Sequence, residues 1–140
     1  MITTVPYLNF PNSLEALAFY DKLGATIIDI IKMSDPMFAD MPKDKMRNPD
    51  FVMNASFTFF GQKIFCSDTW DNRDIDQSGS NLCFTFDQNN RDEVQQIKDL
   101  FARAEANGCT IDMPLEEAEW TDLFGSFTDP FGISWLLSGE

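Results

Sequence analysis

Histidine is absent from the 140-residue chain. That absence removes the imidazole, which titrates near neutral pH and is the commonest protein ligand for transition metals. It also leaves cysteine without its usual catalytic partner. Cysteine itself is sparse: Cys66, Cys83 and Cys109 are odd in number, lie in apolar, strand-like surroundings and show no C-x-x-C spacing. They read as reduced, buried thiols. Cations are scarce too, with 10 Lys and Arg against 23 Asp and Glu and a formal charge of −13. Such a chain repels phosphate backbones and anionic lipid surfaces, so nucleic acid is not an expected partner and the acid excess reads as a solvated surface. No run approaches the ~20 apolar residues of a membrane span, and Met1-Ile2-Thr3-Thr4-Val5-Pro6 has neither a basic leader nor a long apolar core. A cytoplasmic location without membrane attachment is the expectation. No glycine-rich strand-to-helix turn leads to an acidic ribose-binding residue, so no nucleotide cofactor is expected.

What the chain does have is core material. Apolar residues make up 44% of it and fourteen are Phe, enough for one well-cored domain or two small modules sharing a core. Two copies of a strand, a helix and three strands are legible, at about 1–70 and about 80–140. The copies open with Val5-Pro6-Tyr7-Leu8-Asn9-Phe10 and Asn81-Leu82-Cys83-Phe84-Thr85-Phe86. Asn12 with Glu15, and Asn90 with Glu93, repeat a helix-start signal. Ala16, Phe19, Tyr20 and Leu23 form one apolar stripe, and Val94, Ile97, Leu100, Phe101 and Ala104 the other. Gly24 and Gly108 can take the left-handed conformation just past each helix, ahead of Ala25-Thr26-Ile27 and Cys109-Thr110-Ile111. Gly61-Gln62 and Asp129-Pro130-Phe131-Gly132 then mark hairpin reversals. Consecutive strands after each helix favour an α+β fold of two tandem βαβββ modules over a doubly wound sheet. A long loop at about 34–50, with three prolines and Met37, Met41 and Met46, breaks the symmetry; lid, floppy insertion and subunit contact are all open readings.

The segment Leu123-Phe124-Gly125-Ser126-Phe127-Thr128-Asp129-Pro130-Phe131-Gly132-Ile133-Ser134-Trp135-Leu136-Leu137 resembles the closing hairpin of the vicinal oxygen chelate superfamily (glyoxalase I, bleomycin-resistance proteins, extradiol dioxygenases). Pro6-Tyr7-Leu8-Asn9-Phe10, Ala18-Phe19-Tyr20, Leu23-Gly24-Ala25, Met41-Pro42, Val52-Met53-Asn54-Ala55-Ser56-Phe57 and Ser67-Asp68 extend the likeness over nearly the whole chain and point to its PhnB-like branch. The resemblance implies a curved, cup-shaped mixed sheet, a single glyoxalase-like domain over 1–140, and a homodimer. It also implies a metal site on inward strand positions.

Those positions carry the wrong residues for that metal. The strands offer Tyr7 and Asn9, Phe65 and Ser67 with Asp68 beyond, Cys83 and Thr85, and Trp135 and Leu136 around the place where many relatives have a ligating Glu. Amides and hydroxyls hold Zn²⁺, Fe²⁺ or Ni²⁺ poorly, so no transition metal is expected; a hard cation on Asp68, or on Glu116, Glu117 and Glu119, is the remaining option. Asn54 stands where many PhnB-like sequences have His. Asp68 is then the leading acid/base candidate, against a turn-capping role.

The expected function is binding of a small, partly aromatic molecule without cofactor, by Tyr7, Asn9, Asn54, Phe65, Ser67, Trp70, Trp120, Phe124 and Trp135. The alternatives are a metal-dependent lyase, isomerase or oxygenase with an atypical site, and a dimeric interaction protein with a vestigial cavity. A methyltransferase, the label often attached to the branch, lacks its nucleotide-binding turn.

Overall fold

A computed structural model describes residues 1–40, 48, 50–118 and 121–140, with the backbone alone at 118, 121 and 122. Two compact units divide the chain, Met1–Ile75 and Asp76–Glu140.

In the first unit, β1 (Tyr7–Phe10) leads into α1 (Ser13–Lys22), followed by β2 (Thr26–Lys32), β3 (Val52–Phe59) and β4 (Gln62–Asp68). The Asn12 side chain accepts the Glu15 N–H at 3.1 Å and starts α1. Gly24, at φ +105°, ends it: Ala25 N–H reaches Tyr20 O and Gly24 N–H reaches Asp21 O, the paired bonds of a Schellman stop. The strand order is β1-β4-β3-β2, with β1 parallel to β4 and the other pairs antiparallel. One sheet face carries Leu8, Phe10, Phe57, Phe59, Ile64 and Cys66, all buried, and packs against Ala16, Leu17, Tyr20 and Leu23 of α1. Tyr20 stacks on Phe57 at 5.3 Å and 11°. Leu17 joins this core, whereas Phe19 of the expected stripe is only half-buried.

The second unit repeats the plan with β5 (Asn81–Phe86), α2 (Arg91–Ala106), β6 (Thr110–Ala118), β7 (Thr121–Thr128) and β8 (Ser134–Gly139), in the order β5-β8-β7-β6. Asn90 accepts the N–H groups of Asp92 and Glu93, and Gly108 at φ +89° closes α2 with the same pair of bonds, Cys109 to Ala104 and Gly108 to Glu105. Ile97, Leu100 and Ala104 of α2 are buried, as are Phe127, Trp135 and Leu137 of the sheet, and Phe101 meets Phe127 edge to face at 6.2 Å. The architecture is therefore α+β, two tandem βαβββ modules, each a four-stranded mixed sheet with one helix.

The first hairpin reverses one residue earlier than Gly61-Gln62. Phe60 and Gly61, at φ +50° and +77°, are the two turn residues, and Gln62 already pairs with Phe59. Two adjacent left-handed residues match the twist of the flanking strands, which fixes the pairing register. In the 34–50 segment, Pro36–Phe38 forms a short 3-10 turn, Met33 is buried and Met37 exposed; Met41 and Met46 lie outside the described residues, and with them the lid reading.

Candidate functional site

Alternation along the strands of the first unit sends Leu8 and Phe10 toward α1 and leaves Tyr7 and Asn9 on the opposite face. Parallel pairing of β1 with β4 puts Tyr7 beside Phe65 and Asn9 beside Ser67. The two rings meet edge to face at 6.4 Å, and Asn9 Nδ2 donates to Ser67 Oγ at 3.0 Å. Antiparallel pairing adds Ser56 across from Phe65, and Asn54, two residues before it, shares the same face. Five of the sequence candidates, Tyr7, Asn9, Asn54, Phe65 and Ser67, thus lie on one sheet face. Tyr7 is half exposed, so this face is not closed by the unit's own core.

Asp68 ends β4, and its carboxylate is occupied by the fold. Oδ1 accepts the Ser13 N–H at 2.6 Å, Oδ2 the Val52 N–H at 2.9 Å, and Asn72 Nδ2 reaches Oδ2 at 3.2 Å. It holds the first turn of α1 and the start of β3 to the end of β4, the capping role rather than that of a proton carrier. The following loop is pinned as well. Asn72 Nδ2 also donates to Pro11 O at 2.8 Å, and Asp71 and Asn72 are both held at positive φ, +59° and +52°. Consecutive left-handed non-glycine residues persist only where surrounding bonds over-determine them.

That loop carries Trp70 past the end of the sheet, where its ring meets Phe51 at 5.8 Å and 83°. Asn9, Asp68, Thr69, Trp70, Arg73, Asp74 and Ile75 line a cavity of about 310 Å³. Sequence reading found Asn9, Asp68 and Trp70 of this set and missed Arg73. The available signal was a cation in a run of acids immediately after a strand end.

The remaining candidates are placed differently. Trp120 lies outside the described residues. Phe124 alternates with Gly125 and therefore lies on the face of β7 away from α2. Trp135 does not line a ligand surface: it is 1% exposed, stacks on Phe84 and Phe127, and donates its indole N–H to Asp129 Oδ2 at 2.9 Å. Asp129 also accepts the N–H groups of Phe131 and Ile133, which organises the second hairpin. The thiols are poor nucleophiles. Burial, reinforced by the Asp68 charge, pushes Cys66 up to about 12. Burial and the Asp129 charge push Cys109 to about 12, and the exposed Cys83 is also raised, by desolvation and Glu140.

Among known proteins, the chain is 32% identical to Protein YjdN of Escherichia coli (strain K12) over 146 residues, covering 95% of this chain and 92% of that one. The family model for the glyoxalase/bleomycin resistance protein/dioxygenase superfamily matches residues 88–137. The chain belongs to that superfamily, in its PhnB/YjdN-like branch. The PhnB protein from Bacillus cereus shares its fold at a TM-score of 0.69 and 24% identity, covering 99% of this chain and 100% of the other. A bleomycin-binding protein complexed with bleomycin does so at 0.60 and 15%, covering 100% and 99%.

The divalent metal held by many superfamily members does not fit the residues of this one. On the helix-distal faces, β1 and β4 present a phenol, a phenyl ring and an amide already bonded to a hydroxyl; β5 presents Cys83, whose thiol is raised, and Thr85. Leu136 and Ser138 occupy the corresponding positions of β8. Borderline cations need several nitrogen, thiolate or carboxylate donors. Among the described residues no three His, Cys, Asp or Glu side chains converge. Glu116 and Glu117 are exposed on β6, and Glu119 lies outside the described residues. No described helix is long and apolar enough to cross a membrane.

Proposed function

We propose that the chain is a metal-free receptor for a small, partly aromatic molecule, taken up on the face of the first sheet that turns away from α1. The observation that carries this reading is the division of labour between the two faces. Leu8, Phe10, Phe57, Phe59, Ile64 and Cys66 are buried on the face under α1, while Tyr7, Phe65, Asn9, Ser67 and Asn54 set flat rings beside hydrogen-bonding groups on the other side. Rings with a few fixed polar groups are the usual makeup of a ligand surface. The fold neighbour complexed with bleomycin shows that the same scaffold serves ligand capture in that protein. Phe124, on the helix-distal face of the second sheet, is a candidate contact of that unit by itself, and assembly as a homodimer accompanies the reading.

Native mass spectrometry of freshly purified protein tests the proposal in one measurement. A two-subunit species that retains a small organic molecule and no stoichiometric metal is expected, and Asn9→Ala or Phe65→Ala should reduce retention. Iron, nickel, zinc or manganese at one per chain after dialysis would overturn it in favour of a metal-dependent enzyme.

A further inference from the structure

The cavity beyond the end of β1 and β4 specifies more about the ligand than the sheet face does. In a chain with 23 acidic and 10 basic residues, a guanidinium normally finds a carboxylate. Arg73 does not: among the described residues the only ion pair is Lys32 with Asp50. Its Nε donates to Trp70 O at 3.1 Å, its backbone N–H reaches the same oxygen at 3.3 Å, and Thr69 Oγ bonds Arg73 O. These bonds fix the root and Nε of the guanidinium beside the Trp70 backbone and leave its two terminal nitrogens, the pair suited to a bidentate carboxylate. Arg73 is the one cation in the lining.

The other charges of the cavity do not cancel it alike. The Asp68 carboxylate already accepts three N–H groups, two from the backbone and one from Asn72. Asp74 is exposed and makes no ion pair with Arg73. Trp70, at 44% exposed, and Ile75, at 43%, supply flat and apolar wall, with Asn9 linking the cavity to the sheet face. The left-handed Asp71-Asn72 pair and the bonds of Asn72 hold the loop in place before any ligand arrives.

Resting on the receptor reading, we infer that this cavity recognises a planar aromatic carboxylate, its ring against Trp70 and its carboxylate on the Arg73 guanidinium. The test is isothermal titration calorimetry of the full chain with three matched pairs: benzoate and benzamide, 1-naphthoate and 1-naphthamide, indole-3-acetate and indole-3-acetamide. Tryptamine is added to read recognition led by Asp74. At least one carboxylate should bind about tenfold or more tightly than its amide, since a charge-assisted bond has that worth. Arg73→Gln should remove that preference while leaving amide affinity and the urea midpoint unchanged, and Arg73→Lys should restore only part of it.

Equal binding of acid and amide, equal loss of both in Arg73→Gln, or tightest binding of tryptamine overturns the inference. So does failure of every carboxylate. A thermal-shift panel of neutral aromatic compounds then separates the two ideas: stabilisation by one of them, lost in Phe65→Ala, leaves the receptor standing without the carboxylate subsite, and no response at all removes both.

Discussion

Replacing Asp68 by alanine is the sharpest test of how the first unit is held together. The carboxylate is 7% exposed and accepts three hydrogen bonds, at 2.6, 2.9 and 3.2 Å, from Ser13 N, Val52 N and Asn72 Nδ2. Bonds to a charged group are worth about 1.5–3 kcal/mol each, so simple addition gives about 4.5–9 kcal/mol. Members of one network do not add, and the neighbouring cavity admits water to part of the vacated space. A loss of about 3–5 kcal/mol remains, against a total of about 5–15 kcal/mol for a typical protein. Urea unfolding followed by far-ultraviolet circular dichroism should show the midpoint fall with an unchanged slope. Asp68→Asn should lose at least about 2 kcal/mol, because one oxygen becomes an NH₂ group facing an N–H donor. A loss below about 1 kcal/mol for the alanine variant would refute the anchoring role and return Asp68 to the list of groups available for chemistry.

Gly125→Ala should destabilise by about 1–3 kcal/mol in the same assay, because its Cβ would stand 2.9 Å from the Leu115 Cα, a backbone atom that no rotamer change can move. Trp135→Phe should cost about 1–3 kcal/mol by losing the buried bond to the Asp129 carboxylate, while ligand affinity stays unchanged; a selective loss of affinity would place Trp135 at the site after all. Cys66 has a folded-state pKa of about 12 against an ordinary 9.0, so its contribution is complete below pH 9 and is lost as pH rises toward 12. Unfolding free energies at pH 8 and pH 10 should therefore fall about 1.4 kcal/mol less in Cys66→Ala than in the parent, and equal falls would refute a buried, neutral thiol.

The parts of the fold that are local in origin were legible before any coordinates. Asn12, Asn90, Gly24 and Gly108 act within four or five residues of themselves, so their positions in the sequence fix both helices. Faces were harder. On β1 the polar Asn9 between Leu8 and Phe10 reveals which side is core, but Trp135-Leu136-Leu137 is apolar on both sides, and alternation cannot say which residue meets the helix. The sequence pattern alone leaves Trp135 among the ligand candidates, whereas the register with Phe127 and the bond to Asp129 place it in the core. Arg73 escaped notice for a different reason. Its significance is the absence of a carboxylate partner among the described residues, and pairing in three dimensions has no sequence period to betray it.

The two units differ at the end of their parallel ladders. Phe10 pairs with Asp68 at the end of the first parallel ladder, and Phe86 with Gly139 at the end of the second. Where the first unit ties its helix start to the sheet with a carboxylate, the second has no side chain; a Cβ on Gly139 would lie 3.0 Å from Gln88 Oε1 and 3.1 Å from Leu123 O. Gln88, two residues after Phe86, occupies the space beside Gly139. The consequence reaches the site. A charged anchor at the end of β4 holds the following loop through Asn72, and that loop carries Trp70 and Arg73. The repeat supplies two similar sheets, and the polar anchor of one of them gives the first unit a cavity with an aromatic wall and a cation that makes no ion pair among the described residues.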